Sequence, residues 1–404
     1  MSRRVFVTGY GIITSIGTGA QKNYESLINK QCGYGAIELL DTVHQQDIPA
    51  CEIKLHDHQL SELADVPANA GYTRTALLGA IALREAIAMA KLSLDELKQS
   101  ALLSATTTGG IRELEKYYYQ LQDPSQQGDF RVFSDSANPG EHTERLAELF
   151  GVKGYIGTIS TACSSSANTI MMGTDLIKSG MLNTAICGGA EALSKFTING
   201  FNTLMILDKE QCRPFDKTRT GLNLGEGAAY LVLESEESVE ASGKKIIAEV
   251  KGYGNTNDAF HQTASSPDGG GAYQAMLKAL TMGKITSSQI DYVNAHGTAT
   301  ENNDLSEGLA MQKLFEDKVP YFSSTKPYTG HTLAAAGAIE AVFCMLAMQH
   351  DLIYPSINFK NQMDELTITP QQELIKNVKL NYVLSNSFGF GGNASSLLFS
   401  SVKK

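Results

Sequence analysis

Cys163 stands in the run ISTACSSSANTIMMGTDLIKSG (159–180), where a short β-branched stretch gives way to small residues and then to apolar residues at helical spacing. Its thiol is thereby placed at or near the N-terminus of a helix. Unpaired backbone N–H groups and the positive end of the helix dipole favour a thiolate there. A buried, inert thiol is the commoner fate of a single cysteine, so the company it keeps decides. His296 in NAHGTAT follows the stretch YVN directly, and His331 in STKPYTGHTLAAAG opens an apolar helix. Either imidazole alone could simply bond a nearby carbonyl. Two histidines and a thiol could also hold zinc, but zinc sites need three or four ligands and these spacings match no zinc pattern; no metal is expected. A cysteine so placed suits a covalent nucleophile, and if the two halves pack together the histidines can converge with it on one pocket. Lys326 lies five residues before His331, and Glu340 lies nine beyond it inside the apolar helix. A carboxylate in that setting needs a partner, and an ionic contact to Lys326 would supply one and orient the histidines.

The elements that must carry these side chains alternate. Strand-then-glycine segments recur at 5–17, 102–110 and 184–193, separated by helical patterns such as TALLGAIALREAIAMAKL (75–92). The second half repeats the style with KIIAEVKGYG (245–254), AYQAMLKALTMG (272–283), IDYVNAHGTAT (290–300), the apolar helix 333–348 and LNYVLSNSFGFGG (380–392). Strands alternating with helices imply an α/β protein with βαβ units and a mostly parallel sheet. The two similar sets imply an internal duplication, with helices sandwiched between two sheets and a boundary near 240, giving halves 1–240 and 241–404. Segment 111–145 reads as an excursion from the core. Cys163, His296, His331 and the FGFGG loop around Phe390 all fall at a strand's end before a turn or helix, where functional residues of such folds gather.

Composition narrows the function. The 404 residues are 42% hydrophobic and 19% charged, with 37 glycines, which fits a globular α/β chain and argues against disorder. A net charge of −10 and the lack of a basic run exclude nucleic acid as the natural partner. Six cysteines without a CxxC pair read as reduced thiols, and the N-terminus opens into a strand with no leader-like segment, so a cytoplasmic protein is expected. The stretch 333–348 contains Glu340 and is too short to span a bilayer, so no membrane association is expected. No glycine turn matches G-x-G-x-x-G or is followed by a Walker lysine, so no nucleotide cofactor is expected either.

TACSSS around Cys163, RPFDKTRTGLNLGEGA (213–228), NAHGTAT, STKPYTGH and NSFGFGG (386–392), in that order, resemble the β-ketoacyl-[acyl carrier protein] synthases of the type I/II condensing enzymes in the thiolase superfamily. The resemblance covers nearly the whole chain. The second histidine separates it from Cys-His-Asn condensing enzymes and from thiolases. It implies a duplicated βαβαβαβ core in five layers (α-β-α-β-α), a dimer, and a decarboxylative Claisen condensation like that of the type II synthases. Cys163 would carry the acyl chain and would share the oxyanion hole with Phe390. His296 and His331, with Lys326 and Glu340 behind them, would serve the malonyl unit. Phe390 would gate the acyl pocket and Thr108 would line it. Thr298, Thr300 and Ser265 or Ser266 would contact the pantetheine arm, which the acyl carrier protein brings, so no cofactor of the protein's own is implied. Arg74, Arg131 and Lys209 are candidates for a basic carrier entrance. Two departures stand out: Gly391-Gly392 lead straight to Asn393 where relatives have Thr-Asn, and Thr108 replaces a usual isoleucine. With the serine-rich surround of Cys163, these resemble synthases of aryl polyene or flexirubin pigment clusters. The alternatives are a subunit active only beside a chain-length factor, as a heterodimer rather than a homodimer, and a thiolase or hydrolase of coenzyme A thioesters.

Overall fold

The structure, a computed structural model, describes residues 3–68 and 70–402. The main strands of the first half are β1 (Val5–Thr14), β2 (Ala101–Ala105), β3 (Ile156–Ile159), β4 (Thr184–Glu191) and β5 (Gly227–Ser235). Those of the second half are β6 (Ala248–Asn257), β7 (Tyr292–Asn294), β8 (Tyr321–Ser323), β9 (Tyr382–Phe388) and β10 (Asn393–Ser401). They are hydrogen-bonded in the orders β3-β2-β4-β5-β1 and β8-β7-β9-β10-β6. Each order becomes the other when five is added to every number, so the duplication expected from the sequence is present. A short antiparallel contact, Phe6 to Glu249 and Val7 to Ala248, joins β1 to β6.

The expectation of a mostly parallel sheet needs correction, because each half is mixed. β3, β2 and β4 run parallel, as do β8, β7 and β9, while β5 and β1, like β10 and β6, are antiparallel to their neighbours. The reason is visible between β9 and β10, where only residues 389–392 intervene. A connection that short permits a hairpin and no crossover.

Helices complete five layers. α1 (Arg74–Ala90) covers the outer face of the first sheet, α3 (Gly270–Gly283) and α4 (Glu301–Phe315) cover that of the second, and α2 (Ser165–Lys178) and α5 (Ala336–His350) lie between them. Strand alternation builds the layers. On β5, Leu231 and Leu233 face the central helices while Tyr230 and Val232 face α1; on β10, Leu397 and Phe399 point to the centre and Leu398 to α3. α5 is apolar all round because it is enclosed all round, with every residue from Ala336 to Met348 buried. The run Leu333–His350 that contains it is long and apolar enough for a membrane span, yet 89% of that run is buried inside the protein. α5 approaches α2 so closely that a Cβ on Gly337 would lie 2.8 Å from the Ala167 nitrogen. The 111–145 excursion holds a helix (Ile111–Gln122) whose Tyr118 and Tyr119 are exposed.

Candidate active site

Cys163 sits in a tight turn between β3 and α2. The preceding Ala162 has φ 53°, a left-handed conformation costly for a residue with a side chain. The surrounding hydroxyls hold that turn. The Ser165 hydroxyl donates to the Ala162 carbonyl (2.5 Å) and accepts from the Thr161 N–H (2.8 Å), and the Ser164 hydroxyl donates to the Thr161 carbonyl (2.7 Å). The serine-rich run therefore has a local structural cause. A Cβ on Gly389 would lie 2.8 Å from the Thr161 carbonyl oxygen and 3.1 Å from the Cys163 nitrogen, so glycine lets the β9–β10 loop close over the thiol.

Burial pushes the Cys163 thiol up to about 12, against the opposing pull of the Lys326 charge and a hydrogen bond from the Phe390 N–H. The thiolate expected from the helix start is thus not the resting form. α2 begins two residues later, and desolvation is the largest of the influences on the thiol.

His296 follows β7, and the backbone there is pinned by two acids from α4. Glu307 accepts the N–H of His296 (2.9 Å) and of Gly297 (2.8 Å), and Asp304 accepts the N–H of Ala299 (3.1 Å). Burial pushes Glu307 up to about 7. His331 is fixed by its own backbone, whose N–H donates to Asn223 O (2.7 Å) and whose carbonyl accepts from Gly225 N–H (3.0 Å). The two imidazoles meet edge to face with centroids 5.3 Å apart. Burial first, and then the Lys326 charge, hold both well below the usual histidine range, so both are neutral near pH 7. The Lys326 ammonium lies 3.3 Å from His296 Nδ1 and pairs with Glu340, so the contact expected between lysine and carboxylate is present. An ammonium can only donate. His296 Nδ1 is therefore the acceptor, and its proton resides on Nε2. Burial raises Glu340 to about 7, opposed by Lys326.

These elements enclose a cavity of about 380 Å³. Cys163, His296, His331 and Phe390 line it together with Ser265, Thr298 and Thr300, so seven of the residues singled out by sequence share one chamber. The hydroxyls of Thr298 and Thr300 are 2.9 Å apart. Phe390 stacks on Phe201 at 5.6 Å. Its loop is tied to the neighbouring segment through Gly391 N–H to Gln262 O (2.7 Å) and Asn257 Nδ2 to Gly391 O (2.9 Å). Lys326 and Glu340 stand behind the histidines rather than on the lining. Ser266 is also off it, its N–H donating to Asp258. Thr108, expected in the acyl pocket, does not line this cavity; its hydroxyl donates to Glu191 (2.9 Å). Arg74 is not a carrier entrance, being buried in an ion pair with Glu226, whose carboxylate also anchors Leu193. Arg131 is spent on the carbonyls of Pro124 and Gln126, and Lys209 is exposed. Sequence reasoning missed Phe201, Met205, Leu222 and Asn302 on the lining, and the buried acids Glu307, Asp304 and Glu191. One signal was available: Asp304 and Glu307 share a helix face three residues apart, and paired acids on a buried face demand donors.

A nucleophilic thiol beside an oxyanion-directed N–H, facing two neutral imidazoles across the seam of a duplicated α/β core, defines an acyltransferase of the condensing type. The chain belongs to the β-ketoacyl synthase family. Residues 2–238 match its "Beta-ketoacyl synthase, N-terminal domain" and residues 247–360 its "Beta-ketoacyl synthase, C-terminal domain". It is 32% identical over 410 aligned residues to 3-oxoacyl-[acyl-carrier-protein] synthase 2 of Staphylococcus aureus strain COL, and 34% identical over 410 to the Synechocystis enzyme of that name, covering 98% of each chain in both cases. Among solved structures, the ishigamide ketosynthase/chain length factor is similar with TM-score 0.92 and 31% identity over 100% of both chains. A β-ketoacyl synthase from Burkholderia phymatum is similar with TM-score 0.89 and 28% identity over 99% of this chain and 100% of that one.

Proposed function

We propose that this protein extends an acyl chain by two carbons, condensing malonyl-acyl carrier protein with an acyl group held on Cys163. The observation that carries this reading is the meeting of Cys163, His296 and His331 in one cavity, with the Phe390 N–H directed at the sulfur. In the first step Cys163 Sγ attacks the acyl thioester. The thiol proton passes to the departing pantetheine sulfur, and the Cys163 and Phe390 N–H groups hold the oxyanion. In the second step the malonyl carboxylate leaves as CO₂. Its electron pair develops as an enolate, to whose oxygen His296 Nε2–H and His331 donate. The carbanion then attacks the acyl-cysteine carbonyl, the C–S bond breaks, and Cys163 Sγ departs as a thiolate. Neutral imidazoles suit that task because they donate hydrogen bonds without quenching the carbanion with a loose proton. Thr298, Thr300 and Ser265 supply the polar wall for the pantetheine amides, and Phe201, Met205 and Leu222 supply the apolar remainder.

This reading needs no resident cofactor or metal, since the carrier protein brings the phosphopantetheine. We further propose a cytoplasmic dimer with halves meeting near residue 240, and polyene-pigment synthesis as its pathway, for which the remaining support is the departure at Gly391–Asn393. The similarity to a ketosynthase/chain length factor protein supports a second reading, a catalytic subunit paired with a non-catalytic relative. The test is mass spectrometry of the purified protein with acyl-carrier protein, then with malonyl-carrier protein. An acyl adduct on Cys163, and a β-ketoacyl product only with the malonyl donor, support condensation. Free acid as the main product sinks it in favour of hydrolysis. Product that forms only after a second subunit is added supports the paired reading.

A further inference from the structure

Glu191, the last residue of β4, is a fully buried carboxylate to which the mechanism above assigns no task. Six donors converge on it. Oε1 accepts the Thr106 hydroxyl (3.1 Å), the Thr108 N–H (3.3 Å) and the Thr108 hydroxyl (2.9 Å). Oε2 accepts the Thr107 N–H (2.8 Å), the Thr107 hydroxyl (2.6 Å) and the Ala334 N–H (3.4 Å). Three of the six are backbone N–H groups, which can only donate, and together with the hydroxyls they oppose the burial that raises this carboxyl above its ordinary value. The cluster holds the carboxylate in place from both oxygens.

The duplication explains what that anion occupies. Ala162 (φ 53°) and Leu333 (φ 48°) are matched left-handed residues, each leading into a central helix, and the residues that follow are Cys163 and Ala334. In the first half the N–H after the strained residue belongs to the oxyanion hole. In the second half its counterpart, Ala334 N–H, is already filled by the Glu191 carboxylate, which crosses over from the other half. The same turn carries His331, three residues before Ala334. Glu191 therefore ties the loop after β2, three consecutive threonine residues, to the turn that delivers an imidazole to the cavity.

We propose that Glu191 is a positioning residue of the condensation: it fixes the His331 turn against the Thr106–Thr108 loop and, as the anion, places a negative charge behind the nucleophile. This rests on Cys163 being the acylated residue. The charge works in the direction already noted for the thiol, since Glu191 is among the groups that raise it. Burial is the larger cause, and the Glu191 charge adds to it.

The experiment uses the full-length protein, with Glu191→Gln as the first variant and Thr107→Val and Thr107→Ser as milder ones. Three quantities are read: the pH profile of Cys163 alkylation by iodoacetamide, acyl transfer to Cys163, and condensation with malonyl-carrier protein. In Glu191→Gln, alkylation at pH 7.5 is expected to rise severalfold while condensation kcat falls by about tenfold or more, with KM little changed. Thr107→Val is expected to move both in the same directions by less, and Thr107→Ser to restore them. A residue that merely held the fold would lower the melting temperature and both half-reactions together and leave the alkylation profile in place. The inference is overturned if the Gln and Val profiles superimpose on wild type, or if condensation stays within about twofold. If wild-type Cys163 takes no acyl group, this inference and the proposed function both fall. Normal wild-type acylation with unresponsive variants removes this inference alone.

Discussion

Replacing Lys326 with methionine tests the arrangement behind the histidines. The ammonium pairs with Glu340 and donates to His296 Nδ1 at 3.3 Å, with all three groups buried. Two losses follow. Removing one partner of a buried pair strands the other, at a cost of about 3–5 kcal/mol in folding stability, lessened here because Glu340, already raised to about 7 by burial, can take a proton. Without the ammonium, His296 is free to carry its proton on Nδ1, and the enolate loses a preorganised donor worth about 3–4 kcal/mol, or 10²–10³ in rate. Acyl transfer keeps the Cys163 and Phe390 N–H groups and loses only the Lys326 pull on the thiol, so it is expected to fall less. The pH dependence has a definite sign. The lysine charge is one of the causes holding both imidazoles low, so its removal lets them protonate at higher pH, and the acid limb of the condensation profile moves upward. The assay measures Cys163 acylation by mass spectrometry and condensation by malonyl-dependent product in separate half-reactions. A Lys326→Met/Glu340→Gln double variant, which leaves no stranded charge, is expected to recover stability but not condensation. The reasoning is refuted if condensation in Lys326→Met stays within about threefold of wild type, or if both half-reactions fall equally.

Glu340→Gln alone is expected to lower both melting temperature and turnover, and a variant that folds and turns over normally would show that the ion pair has no orienting role. Cys163 alkylation is expected to be slow at pH 7 and to climb about tenfold per pH unit through pH 9, because burial lifts the thiol to about 12; a plateau near pH 7 would contradict this. Phe390→Ala removes the stacking on Phe201, about 0.5–1.5 kcal/mol, but keeps the backbone N–H, so acyl transfer is expected to persist while release of free acid increases. Glu113 is buried with Oε2 unpartnered, and burial raises it to about 7. Its folded value exceeds its unfolded one, so the stability it contributes is full below about pH 4.5 and is lost as pH rises through about 7. Glu113→Gln is therefore expected to raise the melting temperature at pH 8, by up to about 3 kcal/mol of stability, and to give no gain at pH 4.

Much of the frame was legible because its signals are local. The strand, glycine and helix segments around Cys163, His296 and His331 each announce their own turn, and the apolar run around Glu340 announces a helix enclosed on every side. Strand direction was not legible in the same way. The alternation of strands and helices suggests parallel crossovers, yet β5, β10, β1 and β6 run antiparallel, a fact carried by the length of connections such as 389–392 rather than by periodicity. The charge state of Cys163 was misjudged for a related reason. A helix start can be read from sequence, but the depth at which it is buried cannot. Arg74 is likewise a surface cation by local sequence alone, because its partner Glu226 lies 152 residues away.

The duplication also accounts for the site's asymmetry. Two halves with the same strand order must produce two similar turns at the starts of α2 and α5, each with a strained residue and an N–H that invites an oxygen anion. If both stayed open, the molecule would hold two half-built oxyanion holes and no histidine pair facing a single thiol. The chain divides the labour instead. The first turn keeps a cysteine and an open N–H. The second keeps a histidine, closes its N–H on Glu191, and gains the segment 324–330 that carries Lys326. What reads along the chain as repetition becomes, once the halves pack face to face, one nucleophile and one set of donors opposite it. A variant that opens the second turn should therefore impair the donors before it impairs the nucleophile, which is the order expected for Glu191→Gln.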